Sequence, residues 1–310
     1  MKKLFVYIIV SVVFFSCNQT PNTDYGETPT RGKIKIDVDE SFKMLMDTQV
    51  FTFSALYKYA YITPYYKSEY DVITDFMNDS VRTIVTALKL TGNQEEYLKS
   101  RNIVPKTTHI ATDALAFITN KDNPDSLILI NKVKQLFTGV ISEWSQINPK
   151  NKSGKIEVVF DSNKSANARY FKEKLNLTEF RPNCYNATTN DEVINYVEKN
   201  KNAIGIISVN WISENTDSIS NNFLKRVRVI GLTSEYDPEG SYYYKPYAAY
   251  IADKSYPFTR EIYMITRETF DGLGSGFIRF VAGEKGQRIV LKAGLVPATM
   301  PIRLVQLKEE

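Results

Sequence analysis

Two spacings of apolar residues alternate along the chain. Lys33-Ile34-Lys35-Ile36-Asp37-Val38 places an apolar residue at every second position, as a half-buried strand does. From Ser41 the spacing lengthens, and Phe42, Leu45, Met46 and Phe53 share one face of a helix. Residues 68–78 repeat that pattern through Val72, Ile73, Phe76 and Met77. Residues 81–88 and 114–119 read as strands, and 131–137 as a short helix closed by Gly139, a residue suited to a left-handed C-cap. A strand over 155–160, a helix over 166–175, and a helix capped by Asn190 and carrying Val193, Ile194 and Val197 come next, then a strand over 204–209. Residues 213–241 are polar and irregular around a strand at 226–230. A strand over 256–266 and a helical pair over 275–292 end at Gly294, before Pro297. No internal repeat is visible. Strands alternating with helices predict an α/β protein with mostly parallel sheets covered on both faces.

The first residues break this pattern. Lys2 and Lys3 precede an apolar run from Leu4 to Phe15, which reads as a signal peptide over 1–16 and is short for a transmembrane helix. Phe14-Phe15-Ser16-Cys17 resembles a bacterial lipobox, with Phe14 where Leu is usual. The resemblance implies lipidation of Cys17; the alternative is ordinary cleavage nearby with Cys17 incidental. Residues 17–32 lack apolar periodicity and are rich in Asn, Thr and Pro, so they read as a flexible tether to a membrane.

Composition narrows the chemistry. With 43% hydrophobic and 24% charged residues over 310 positions, collagen, low-complexity disorder and a polytopic membrane protein are excluded, and the length suggests about two domains. Two cysteines build neither a disulfide framework nor a thiolate zinc site. One histidine, His109, rules out multi-histidine metal sites and argues against a His-dependent triad, so no metal or cofactor is expected. The formal charge of +4 falls to +2 when Lys2 and Lys3 leave with the signal, and no basic run interleaved with aromatics points to nucleic acid. Cys184 reads as a free thiol, and Trp144 and Trp211 as core or lobe-face anchors. Twenty tyrosines are a surplus. Two groups of them stand out, Tyr57 to Tyr66 around Pro64 and Tyr242-Tyr243-Tyr244. They read either as packing or as a sugar-stacking or protein-docking surface.

Four ordered stretches resemble the phosphate-binding lipoproteins of ABC transporters, the PstS family. They are Ala111-Thr112-Asp113-Ala114-Leu115-Ala116 with Asn123-Pro124, Leu136-Phe137-Thr138-Gly139-Val140-Ile141-Ser142-Glu143-Trp144, Asp191-Glu192-Val193-Ile194 with Ala203-Ile204-Gly205-Ile206, and Gly276-Phe277-Ile278-Arg279-Phe280 with Gly294-Leu295-Val296-Pro297. The resemblance covers about residues 33–300. It implies a two-lobed type II periplasmic-binding-protein fold, each lobe a mostly parallel sheet flanked by helices. Lobe 1 is expected to combine 33–112 with 256–310, and lobe 2 to hold 113–255, with two crossing strands between.

The same resemblance places an oxyanion in the interlobe cleft, where helix N-termini supply N–H donors. Ser41 and Phe42 follow the first strand, as the family's first binding loop does; Ser41 read alone is an N-cap. Ser165, Ala166 and Asn167 stand where the family writes Ser-Gly-Thr. Arg169, one turn on, reaches the anion bidentately or makes a surface ion pair. Thr86 stands in the third loop, where Leu88 takes the position usually charged and the usual carboxylate is absent. Asp39 and Asp161 are its candidate substitutes. The family implies no enzyme activity and a monomer serving an ABC permease, exported and held to a membrane by its N-terminal lipid on the periplasmic side. The alternative is a surface lipoprotein on the same fold that binds a glycan or protein. A hydrolase working through paired carboxylates has only scattered Asp and Glu in its favour.

Overall fold

The computed structural model describes residues 26–181, 184–213 and 218–301, so the expected signal peptide and Cys17 lie outside the described residues. Strand β1 (Arg31–Asp39) leads through a 3-10 turn (Glu40–Phe42) into helix α1 (Lys43–Leu56). Strand β2 (Tyr59–Lys67), helix α2 (Glu69–Met77), strand β3 (Thr83–Thr86), helix α3 (Gly92–Ser100) and strand β4 (Lys106–Asn120) follow. After β5 (Leu127–Ile128), α4 (Ile130–Thr138) and α5 (Trp144–Ile147) come β6 (Glu157–Phe160), α6 (Ala166–Leu175), β7 (Cys184–Asn186), α7 (Asn190–Lys199) and β8 (Ala203–Ser208). A second 3-10 turn (Val209–Trp211) precedes α8 (Ser218–Arg226), β9 (Val227–Val229), β10 (Gly231–Thr233), β11 (Tyr243–Tyr244) and α9 (Ala248–Ala252). The chain closes with β12 (Thr259–Thr266), α10 (Leu273–Ala282), α11 (Glu284–Lys292) and β13 (Val296–Pro297).

One ten-stranded sheet runs β2-β1-β3-β12-β4-β8-β6-β7, with β13 and β9 also on β4. Its outer strands are parallel: β1 pairs β2 and β3, and β6 pairs β7 and β8. Its centre is antiparallel, because β12 lies against β3 and β4, and β8 against β4. β4 serves both sides. It pairs β12 from Lys106 to Ala114 and β8 from Leu115 to Thr119, so the change of partner falls at Ala114/Leu115. The sheet therefore has a first half around β1 and a second half around β6.

Burial follows the apolar spacing. Leu45, Met46 and Phe53 of α1 are fully buried against Ile36 and Val38 of β1, and Phe53 meets Phe277 of α10 edge-on at 5.3 Å. In the second half Phe117, Phe137, Phe160, Phe171 and Phe258 form one buried aromatic group. Gly139 ends α4 at φ 66°, the left-handed conformation expected of it.

The structure departs from expectation in several places, among them helix α8 in the stretch that reads as irregular, and Ser41, which lies inside the 3-10 turn that Asp39 caps. Asn190 is the first residue of α7, and its cap is Thr189, whose hydroxyl accepts from Glu192 N. Helix α3 went unread because Gly92-Asn93-Gln94-Glu95-Glu96 shows no apolar stripe; a capping box of Thr91 and Gln94 starts it. Strand β2 was hidden by its tyrosines and Pro64, which an edge strand tolerates. On its exposed side Tyr59, Tyr61 and Tyr65 lie under Arg31, Lys33 and Lys35 of β1 at 5.2–5.6 Å, which accounts for part of the tyrosine surplus.

Finally, the reach of the tether to residue 32 is corrected. Glu27 pairs with Arg82 at 2.6 Å and accepts from Leu273 N, and Arg31 and Gly32 already belong to β1. Gly276 of α10 has no room for a Cβ, which would lie 1.9 Å from the Pro29 carbonyl oxygen. Gly276→Ala is therefore expected to lower stability by about 1–3 kcal/mol as the 27–30 segment is pushed off. An unchanged melting temperature would refute that packing.

Candidate functional site

Parallel strands deliver their C-terminal ends to one side of a sheet, where ligands of open α/β folds bind. Here β1 ends at Asp39, β3 at Thr86 and β6 just before Asp161, and the three meet. Asp39 is 1% exposed. Its Oδ1 accepts from Ser41 N at 2.8 Å, within the first half, and its Oδ2 accepts from Ala166 N at 3.4 Å, from the start of α6 in the second half. Ser41 Oγ donates to Asn167 Oδ1 across the same gap at 3.3 Å. The Ser41 carbonyl accepts from Asn210 Nδ2 and Trp211 Nε1 at 2.8 and 3.0 Å, so Trp211 does anchor this face. Ser165 caps α6, its Oγ accepting from Ala168 N.

Thr86 and Arg169 come together through a residue that sequence reasoning missed. Glu69, 3% exposed, accepts from Thr86 Oγ1 at 2.9 Å, Ala87 N at 3.1 Å and Arg169 Nε at 2.5 Å. Arg169 Nη1 also holds Glu173 at 2.6 Å. Its guanidinium is thus engaged by two carboxylates, more buried than a surface ion pair. Glu69 looks in sequence like an ordinary acidic residue in the first turn of a Ser-capped helix, which hides it. Leu88 leaves the expected charged position apolar; its N–H donates to Thr86 Oγ1.

Three more groups complete the cluster. Glu40 accepts from Asn190 N at 3.1 Å and from Asn190 Nδ2, which also donates to Asp161 at 3.3 Å. Asp161 Oδ1 is buried with no partner. Phe42 is fully buried, and the Arg260 guanidinium of β12 lies over its ring, 5.0 Å from the centroid. Arg260 Nε donates to Asp113 Oδ2 at 3.0 Å, while Asp113 Oδ1 accepts from Ser208 Oγ at 2.7 Å. Beside the cluster a cavity of about 480 Å³ is lined by Glu40, Lys43, Lys67, Asp161, Ser165 and Trp211.

Burial dominates the electrostatics. It pushes Asp39 up to about 7, with Glu69 and Asp161 adding repulsion and Arg260 opposing it. Burial likewise raises Glu40 to about 8, against the bonds from Asn190, and lifts Asp161. Elsewhere, His109 Nε2 lies 2.9 Å from the Ala111 carbonyl, and Cys184 is a free thiol raised by burial to about 11. Among the described residues no group of three or more His, Cys, Asp and Glu is placed to hold a metal, and no helix is long and apolar enough to cross a membrane.

Comparison with known proteins gives a consistent picture. The family model for the PBP superfamily domain matches residues 23–285. The phosphate-binding protein PstS of Staphylococcus aureus strain USA300 is 27% identical over 210 residues, 66% of this chain and 60% of that protein. The match thus spans about three fifths of the length of the curated relatives. Among solved structures, a candidate phosphate ABC transporter substrate-binding protein from Clostridium perfringens, with bound phosphate, superposes with a TM-score of 0.72 at 21% identity, covering 86% of this chain and all of that one. An ABC-type phosphate transport receptor from Vibrio cholerae gives 0.62 at 20% identity, with coverage of 86% and 100%. These likenesses establish the type II periplasmic-binding-protein fold.

Proposed function

The chain belongs to the PBP superfamily, and on that premise we propose that it is a solute-binding protein that captures phosphate or a related oxyanion and delivers it to an ABC importer. The observation that carries this reading is Asp39. Its carboxylate, itself a small oxyanion, is held by N–H groups of Ser41 and Ala166 from opposite halves of the sheet. Donors so aimed suit a bound oxyanion once Asp39 turns aside. In this reading one lobe takes 27–112 with 256–301, the other takes 113–255, and the ligand sits in the cleft between them. Ser41, Phe42, Thr86, Ser165, Ala166, Asn167 and Arg169 line it, with Arg169 exchanging Glu69 for ligand. The protein performs no chemistry on what it binds. The Lys2-to-Cys17 sequence supports export, lipidation at Cys17 and attachment to a membrane, with a permease as partner.

Titration calorimetry with phosphate, arsenate and sulfate tests the reading. Saturable heat with at least one of them is expected, and Ser165→Ala and Arg169→Ala should each weaken binding about tenfold while the protein stays folded. No heat and no thermal shift at millimolar anion would sink it.

One observation favours a second reading. Asp39, Glu40, Glu69, Asp113 and Asp161 converge near Arg169 and Arg260, with Lys43 and Lys67 on the adjoining cavity; once Asp39 and Glu40 ionise, the acidic groups outnumber the basic ones, a balance that suits a cationic solute such as a small amine. A thermal shift with amines and none with oxyanions would select it.

A further inference from the structure

The rim of the sheet carries a surface that the ligand site does not use. β1 and β2 run parallel, with Arg31 opposite Tyr59 and Lys33 opposite Tyr61. Alternation sends Ile34, Ile36, Ala60 and Ile62 into the core shared with α1, and sends Arg31, Lys33, Lys35, Tyr59, Tyr61 and Tyr65 to the other face. That face is open to solvent. Tyr59 and Tyr61 are 64% and 54% exposed, and Lys33 and Lys35 are exposed beside them. Lys33 lies over the Tyr61 ring and Lys35 over the Tyr65 ring, both at 5.6 Å, and neither lysine has an ion-pair partner among the described residues. The first carboxylate along this face of β1 is Asp37, which is buried and bonded to Lys67 at 2.8 Å.

Charge and position together say what covers such a face. Cations interleaved with exposed tyrosines suit a lipid headgroup layer, where the ring sits level with the headgroups and the charge meets phosphate. A second copy would set cations against cations. β1 enters the sheet at Arg31, so the cationic end of the strand is also the end nearest Cys17. Nine positions separate Cys17 from Gly26, where the described residues begin, and such a stretch spans at most about 30 Å. A folded chain of this length is roughly 50 Å across, so a molecule held at Cys17 turns its Arg31 end to the membrane.

We propose that this face is the membrane-facing surface of the molecule and lies against anionic phospholipid headgroups. Lys33 and Lys35, with Arg31 beside them, meet the lipid phosphates, and Tyr59 and Tyr61 sit among the headgroups. The proposal rests on the lipid-attachment reading above. Attachment keeps the face at high effective concentration beside the membrane, so a weak attraction suffices. Each cation adds about fivefold to the attraction to an anionic leaflet, and the three together about 100-fold.

Footprinting of the full chain on vesicles tests it. The chain, matured in a bacterium, is placed on vesicles of phosphatidylcholine alone or with about one part in three phosphatidylglycerol, and its tyrosines are acetylated by water-borne N-acetylimidazole. On the anionic vesicles the labelling of Tyr59 and Tyr61 should fall about tenfold, while Tyr236 and Tyr242, outside this face and 85% and 69% exposed, keep their rates. Salt at about 0.5 M should abolish the difference. Lys33→Gln combined with Lys35→Gln should weaken the attraction about 30-fold and restore labelling, whereas Lys33→Arg combined with Lys35→Arg should keep the protection. Both positions are exposed, so melting temperatures should stay level. Equal labelling of Tyr59 and Tyr61 on the two vesicle types would overturn the proposal. Equal protection by soluble polyglutamate would also overturn it, and would assign the face to acidic polymers. A chain that washes off neutral vesicles but is held by anionic ones, with both rings protected, would refute lipid attachment and keep the face. One that washes off both overturns both readings.

Discussion

Replacing Asp113 with alanine is expected to destabilise the protein by about 3–5 kcal/mol, the range for removing one partner of a buried ion pair. The residue is fully buried, and its two oxygens hold Arg260 from β12 and Ser208 from β8. It lies on β4 next to the point where that strand changes partners, so one carboxylate ties both neighbouring strands to the strand they share. Alanine would leave a guanidinium buried with no acceptor. The double variant Asp113→Leu with Arg260→Met removes both charges and should recover much of the loss. Urea denaturation midpoints read the effect. A cost under about 1 kcal/mol for Asp113→Ala would mean that water reaches Arg260.

A fall in stability from pH 5 to pH 8 is the second large expectation. Burial holds Asp39 near 7 and Glu40 near 8, well above ordinary carboxyl values near 4 in an unfolded chain. Between those limits the folded state binds more protons than the unfolded one. Their contribution is therefore complete below about pH 4 and is lost as pH rises through 7 and 8. At about 1.4 kcal/mol per unit, Asp39 alone accounts for about 4 kcal/mol in all, of which about 2.6 kcal/mol is lost between pH 5 and 8. Asp75 and Glu198, held low by Lys67 and Arg226, act oppositely at more acid pH, which confines the test to pH 5–8. Denaturation midpoints of the unaltered protein should drop across that window, and those of Asp39→Asn should drop less. Parallel profiles would show that Asp39 is already ionised in the folded state. The same titration bears on function, because an ionised Asp39 competes with an anion for Ser41 N and Ala166 N.

The elements that sequence predicted well have a strong local signal. Helix α6 was found at its observed bounds because Ser165 is a cap and Phe171 faces the core. The alternation in β1 and the closing pair α10–α11 were equally plain. Strand β2 was not, since Tyr and Pro obscure alternation where only Ala60 and Ile62 are buried. Site residues divide the same way. Ser165 announces itself as a cap. Ser41 also reads as one, but Asp39 caps the 3-10 turn that holds it, and the Ser41 hydroxyl donates to Asn167 instead. A family resemblance supplied Thr86, Asn167 and Arg169. Glu69, Glu40 and Arg260 carry no local mark. Arg260 sits in Thr-Arg-Glu-Ile-Tyr as any strand arginine does, and only the register with Asp113 and the packing on Phe42 give it meaning. Long-range pairing of charges across a sheet leaves no periodicity to read.

The cation-covered tyrosines of β2 bear on how the molecule behaves in a crowd. A strand at the rim of a sheet offers unpaired N–H and C=O groups to any passing chain, a template for fibrils. On this rim Pro64 removes one donor, so an incoming strand meets a gap midway. It would also have to strip water from the row of Arg31, Lys33 and Lys35 flanking the exposed rings. The rim thus repels its own kind, and the protein is expected to tolerate high local concentration without edge-to-edge growth.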